Sequence, residues 1–423
     1  MEVIAYTRAM PKFSFLFAVF SLAFVSLLPA DNWPSWRGPN DNGSATGGKY
    51  PVKLTDEAKW AWRVALPGKG CSTPVVWEDH IVLTAPVEGK DALLAYDWNG
   101  KKRWQTVFGK EKPGKHRNGS GSNSSAVTDG KAFFVFFKSK TLAAVDFDGK
   151  VLWRKDLNEY GRDTLYWDFG TSPVLTEKHV VMALMRERNS WLLAFDKRSG
   201  ELAWKAERNY KTPREGDHSY STPIVTKQAG RETLLVWGAE RFTAHDAANG
   251  KILWSCEGFN PQKRNNWVVV SSFVKVGDIA VVPYGRGSKL AGIKLGGKGD
   301  VTGSHRVWET DASSFVPTPA AHEGRVYTVR DRGEVLCTNP KSGETLWKGQ
   351  FPKDRASYYS SPSIAEDKIY SAREDGTVFV AQINGGFKLL SENDMGERII
   401  ASPVPVNSRL LLRGEKHLFC IKP

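Results

Sequence analysis

The sequence predicts an all-β fold: an eight-bladed β-propeller of four-stranded antiparallel blades, its ring closed by pairing of an N-terminal strand with the C-terminal blade. Three observations carry this reading. A first-strand motif recurs eight times, as STPVV at Pro74, SSAV at Ala126, TSPVL at Pro173, STPIV at Pro223, SSFV at Phe273, PTPAA at Pro319, SSPSI at Pro362 and ASPVP at Pro403. A turn followed by a tryptophan recurs with the same spacing, ending at Trp104, Trp153, Trp204, Trp254 and Trp347, with a looser copy at Trp308 and Leu390 in the seventh position. Both series repeat at roughly 40–50 residues, the period of a propeller blade.

The unit is clearest between Gly170 and Ala206, where four short segments, Ser172–Leu175, His179–Leu184, Trp191–Phe195 and Glu201–Lys205, alternate with turn residues. Each mixes β-branched, aromatic and aliphatic side chains, as strands do. In DKRSGELAW, Asp196 can hold backbone amides of the turn and Gly200 can take positive φ. The last first-strand motif is followed by two strands only, Arg409–Leu412 and His417–Ile421. The segment from Lys59 to Val64 is the unclaimed fourth strand, and pairing it with the last blade removes two open edges.

Residues 1–30 read as an export signal: Arg8 and Lys12 precede an apolar run from Phe13 to Leu28, and Pro29-Ala30 offers a cleavage point. Met10 is an alternative start. The run is marginal against the roughly 20 residues of a membrane span, so an uncleaved anchor is the weaker reading. No cysteine follows it to carry a lipid. Residues 31–53, DNWPSWRGPNDNGSATGGKYPVK, are expected to form an extended arm over the propeller, which occupies 54–423, with Trp33 and Trp36 docked on its surface.

A chain of 423 residues exceeds the roughly 250–300 that one core supports, but a ring of sheets packing only on their neighbours escapes that bound. The recurring Trp is therefore read as packing between sheets. Cys71, Cys256, Cys337 and Cys420 form no CxxC pair and read as buried free thiols, with a disulfide as the alternative in an oxidising compartment.

The net charge is +13, and bases recur in the links between second and third strands: Lys138, Lys140, Arg186, Arg188, Arg241, Arg286, Arg330, Arg332, Arg373 and Arg413. Those links share one face of a propeller, so a basic rim is expected there, suited to an acidic protein or an anionic polymer. Nucleic acid is excluded as a partner by export and by the lack of any binding module. The links leading into each first strand open on the same face. Several are long, and they supply the ligand-site candidates His116, Arg117, Asn123, Trp167, Asp168, Arg214, Asp217, His218, Tyr220, Arg264, Asn266, Trp267, Arg355, Tyr358 and Arg398. No HExxH, GxSxG or P-loop is present, and no metal ligand set is assigned. The glycine-rich stretch 285–299 lies inside blade five and joins no strand to a helix, so it is not a dinucleotide fingerprint.

The unit TSPVL–VVMAL–WLLAFDKRSGELAWKA resembles the repeat of the pyrroloquinoline quinone (PQQ) propeller superfamily over nearly all of the chain after residue 30, and WD-repeat propellers match it less well. The WPSWRGPNDNG arm is similar to the opening of exported, non-dehydrogenase members. The resemblance implies two functions. One is that of the outer-membrane assembly factor BamB, an eight-bladed scaffold. The other is a quinoprotein dehydrogenase, with PQQ and calcium in the channel mouth, an Asp base, a Glu and an Asn on the metal, and often a Cys-Cys pair. This chain has no adjacent cysteines and no CxxCH, and its Asp, Glu and Asn residues cannot be matched to that set. The expected function is a non-catalytic, monomeric scaffold in the periplasm or secreted, binding a protein or polymer at the cell envelope. Membrane contact would be peripheral or through an uncleaved signal. The alternative is a PQQ- and calcium-dependent oxidoreductase.

Overall fold

A computed structural model describes residues 1–3, 31–311 and 313–423, so the expected export signal lies almost wholly outside the described residues. Eight sheets are present, and seven of them have four strands. Blade three shows the unit: Val174–Leu175, His179–Leu184, Trp191–Asp196 and Leu202–Glu207, each antiparallel to the next. The other blades span 75–110, 127–156, 224–256, 274–310, 320–350 and 363–394, and blade eight spans 404–421. Trp60–Ala65 pairs antiparallel with His417–Ile421 as the fourth strand of blade eight, so the ring closes as expected. Among the described residues no helix is long and apolar enough to cross a membrane.

The turn motif works as its residues imply. Asp196 Oδ1 accepts the N–H groups of Arg198 and Ser199 at 2.9 and 2.8 Å, and Gly200 sits at φ +70°. That glycine has a second reason, since it packs directly on the indole of Trp153 from the preceding blade. Trp153 Nε1 donates to Lys197 O in the same turn at 2.9 Å. Trp62, Trp104, Trp204 and Trp308 repeat the arrangement, each donating to a carbonyl in the next blade's turn. The Trp series is thus an interblade tether as well as packing.

Trp347 packs without the tether, its Nε1 having no hydrogen-bond partner among the described residues, and two further exceptions trace to the neighbouring turn. Blade five replaces the tight turn with a long link whose Gly299–Asp300 adds a parallel fifth strand to blade four, and Trp254 bonds Gln228 in its own blade instead. Blade eight has no such turn at all, because its third and fourth strands come from opposite ends of the chain. Leu390 stands at the Trp position facing that blade and packs against the cluster of Leu54, Val380 and Phe419.

The first-strand motif also has a job beyond the strand. The innermost strand of a blade presents backbone N–H groups to the channel with no ladder partner, and they need acceptors. Thr73 N donates to Ser125 Oγ at 2.9 Å, Ser125 N to Ser172 Oγ at 3.0 Å and Ser172 N to Thr222 Oγ1 at 3.1 Å. Thr222 N then reaches Ser272 Oγ, Ser272 N reaches Thr318 Oγ1 and Thr318 N reaches Ser361 Oγ, each at 2.9 Å. Ser402 N returns to Thr73 Oγ1 at 3.2 Å. A hoop of hydroxyls runs around the channel, one per blade.

The arm goes deeper than expected. Instead of docking on the surface, Trp33 is 1% exposed, wedged among Val76 and Ile81 of blade one and Val404 and Leu418 of blade eight. Backbone bonds tie Trp33 to Val76, Pro34 to Thr128, Asn42 to Ala321 and Ala45 to Ile364, in blades one, two, six and seven. Arg37 is buried, and its Nη2 donates to Pro319 O and Pro362 O at 3.2 and 3.0 Å. Burial pushes its guanidinium down to about 9, with Asp41 opposing. The arm crosses the channel on the face opposite the long links.

A blind cavity at the channel mouth

The long links surround a cavity of about 380 Å³. Trp36, from the arm, forms its floor, so the channel is a cup and not a passage. Its wall is aromatic and apolar (Trp167, Tyr220, Phe315, Tyr359, Ile400), with Thr73, Ser125, Ser172, Thr318, Ser361 and Ser402 of the hoop around it.

Five of the predicted residues converge on this cavity: His116, Asn123, Trp167, Asp168 and Tyr220. His116 stands edge-on to Trp167, centroids 5.0 Å apart, and Trp167 is 47% exposed over the mouth. Tyr220 Oη accepts the Trp167 N–H at 3.2 Å, and burial pushes its phenol above the usual range. Asn123 accepts from Ser120 in its own link and donates to Phe169 O of the link before blade three. Asp168 is buried, 2.5 Å from Lys138 Nζ, and accepts the Lys115 N–H at 2.9 Å. The wall therefore carries no net charge.

The other candidates lie elsewhere. Arg117 and Arg398 meet over Glu374, at 3.5 and 2.8 Å, a node that ties the link before blade two to blades seven and eight. Arg214 lies over Tyr166, 5.8 Å to its centroid, and donates to its hydroxyl at 3.2 Å. Arg264 lies over Trp267 at 5.3 Å, and Trp267 Nε1 holds Phe259 O. Asn266 takes φ +58° and bonds Arg214 O. Arg355 is exposed and its carbonyl accepts from Arg332. His218 is buried edge-on to Tyr166, and burial lowers its imidazole and raises the neighbouring Asp217. Tyr358 is core, stacked on Phe351.

The expected basic rim needs correction. Lys138, Lys140, Arg186, Arg373 and Arg413 are buried. Lys140 Nζ donates to Gly161 O at 2.6 Å, Arg413 Nη1 to Ser72 O at 3.0 Å, and Arg186 to Tyr160 O. Long links carry carbonyls without ladder partners, and a long cationic side chain beneath them satisfies those groups. Arg241 is paired with Glu257, and Arg330 with Glu334 at 2.5 Å. Exposed bases remain at Arg188, Arg286 and Arg332. Arg214 and Arg264 add exposed bases on the links before blades four and five, and the expected continuous ring is broken.

Asp91 of blade one is fully buried, with no hydrogen-bond partner on either oxygen among the described residues, and burial pushes its carboxyl up to about 6. A raised native value means the folded state binds the proton more tightly, so this group's stabilisation is present at low pH and is lost as pH rises from about 4 to 6. Asp91→Asn should flatten the stability–pH curve in that window, by on the order of 2 kcal/mol relative to the parent. Parallel slopes in urea melts at pH 4 and pH 6.5 would contradict this.

Residues missed in the sequence are Trp36, Cys71, Asn118, Phe315, Tyr359 and Ile400, all on the cavity wall. The hydroxyl hoop was visible as a motif without a role. The cysteines are free as expected; Cys256, Cys337 and Cys420 are buried, and Cys71 is half-buried.

The residues present do not fit a quinone–calcium site. Asp168 is the sole carboxylate on the wall among the described residues, and Lys138 already neutralises it. No group of three or more His, Cys, Asp or Glu among the described residues is placed to share an ion.

The family model of the outer membrane protein assembly factor BamB matches residues 44–164, 110–349 and 298–393. No curated protein matches the sequence. Among solved structures, BamB from Moraxella catarrhalis is 16% identical with a TM-score of 0.64, covering 86% of this chain and 99% of its own. The quinohemoprotein alcohol dehydrogenase from Comamonas testosteroni is 12% identical with a TM-score of 0.64, covering 92% and 80%. A europium-containing methanol dehydrogenase is 11% identical with a TM-score of 0.65, covering 93% and 90%. At these identities the structural likeness establishes the fold alone.

Proposed function

The chain belongs to the family of the outer membrane protein assembly factor BamB, and from that premise we propose that it is an exported, non-catalytic scaffold which binds a protein partner at the cell envelope. The observation that carries this reading is the set of arginines laid over aromatic rings on blades three to five. Arg214 covers Tyr166, Arg264 covers Trp267 and Arg286 covers Phe315, at 5.8, 5.3 and 4.5 Å to the ring centroids. None of the three has a carboxylate partner among the described residues. Arginine and exposed aromatics are the side chains that dominate protein interfaces, and unpaired arginines select an acidic partner surface. An anionic polymer is the weaker candidate, because only part of the expected ring of charge reaches the solvent. The neutralised Asp168 leaves the mouth without a base of the kind a dehydrogenase needs.

The test places a photo-crosslinking residue at Trp267, and at Lys101 on the opposite face as control. A discrete adduct from Trp267 alone, abolished by the triple change Arg214→Glu, Arg264→Glu, Arg286→Glu, is expected. Adducts from both faces, or from neither, overturn the partner reading. Thermal unfolding with PQQ and calcium is expected to show no shift. A ligand present at a hundred times its dissociation constant adds about 2.7 kcal/mol, so a calcium-dependent rise of that size would replace the scaffold with an oxidoreductase.

A further inference from the structure

We propose that the channel cavity is a binding site for a neutral carbohydrate, taking roughly one or two sugar rings from the end of a glycan. The volume of about 380 Å³ lies in the range of small-ligand pockets, and Trp36 closes the far end, so the site admits a chain end and not a threaded polymer.

The lining selects the chemistry. Trp36 and Trp167 offer indole faces at the floor and the mouth, and Tyr220, Tyr359 and Phe315 line the wall between. The C–H faces of a sugar ring pack on such surfaces. Around them run Thr73, Ser125, Ser172, Thr318 and Ser361. Each hydroxyl oxygen already accepts a backbone N–H from the preceding blade. None of the five donates to any acceptor among the described residues. Each thus has an O–H left to give, and a buried donor without an acceptor is costly unless a ligand or water takes it. A polyol supplies many acceptors for such a ring of donors. Charge points the same way: Asp168 is held by Lys138, so neither an anionic nor a cationic ligand finds a counter-ion. The site touches the arginine rim only at Phe315, which Arg286 covers, and the inference does not depend on a protein partner there.

The experiment titrates the intact protein with maltose, cellobiose and chitobiose, their hexasaccharides, and a neutral Trp-containing hexapeptide, read by Trp fluorescence and calorimetry. Saturable binding of at least one sugar is expected, unchanged by salt between 0.05 and 0.5 M. Trp167→Ala, whose side chain is exposed and so spares the fold, should weaken it tenfold or more. Thr318→Val should weaken it several-fold while Thr318→Ser retains it, a pattern that mere packing at this position would not produce. No binding by any sugar, or equal binding by Trp167→Ala, overturns the proposal. Binding of the hexapeptide alone overturns it in favour of a peptide site.

Discussion

Trp33→Ala is expected to cost about 3–5 kcal/mol, one of the two largest single-site losses in this molecule, although Trp33 belongs to a segment with no strand of its own. The indole is 1% exposed and shares one core with Val76, Ile81 and Leu83 of blade one and Val404, Leu411 and Leu418 of blade eight. Those blades flank the point where the ring closes, so the cavity left by truncation lies at the seam. Trp36→Ala is the control. Its ring faces the channel cavity, where water can replace it, and the cost should be markedly smaller. Urea unfolding followed by circular dichroism measures both. Equal costs, or a Trp33→Ala loss below about 1 kcal/mol, would mean the arm rests on the ring without holding it.

The contrast between blades and arm shows what a sequence exposes. Blade number and the Trp series were legible because each is repeated over residues close in the chain, and ring closure followed by counting the one strand left over at each end. The arm joins Arg37 to Pro319 and Pro362, partners separated by 282 and 325 residues, and no periodicity marks such a pair. Two tryptophans three positions apart signalled docking, but nothing local says that one fills a seam and the other floors a cup. The basic rim failed for a related reason. Charge in a short link reads as solvent-exposed, and Arg186 and Arg413 are buried only because long neighbouring links fold over them. Of the cavity, His116, Asn123, Trp167, Asp168 and Tyr220 were found, while Cys71 and Asn118 were not. Phe315 and Ile400 were passed over, since apolar residues in a loop carry no chemical signal until their neighbours are known.

Lys138→Met should destabilise the fold by about 3–5 kcal/mol, and Asp168→Ala by a similar amount, while the double change restores most of the loss. Both side chains are buried, the ammonium nitrogen 2.5 Å from one carboxylate oxygen. Removing either partner strands a charge away from water. Removing both leaves the link's remaining bonds, among them Lys115 Nζ to Leu165 O at 2.5 Å. A coupling energy near zero in this double-mutant cycle would show the two groups to be independently solvated. The pair also decides what the cavity can hold. Asp168 sits on the wall, and with Lys138 in place the wall is neutral. In Lys138→Met the mouth gains an uncompensated carboxylate, and affinity for a cation such as calcium should rise above the parent's. Calorimetry with calcium alone reads that change. If the parent binds calcium as tightly as the variant, Lys138 does not neutralise Asp168, and a charged ligand becomes as good an occupant of the cavity as a neutral one.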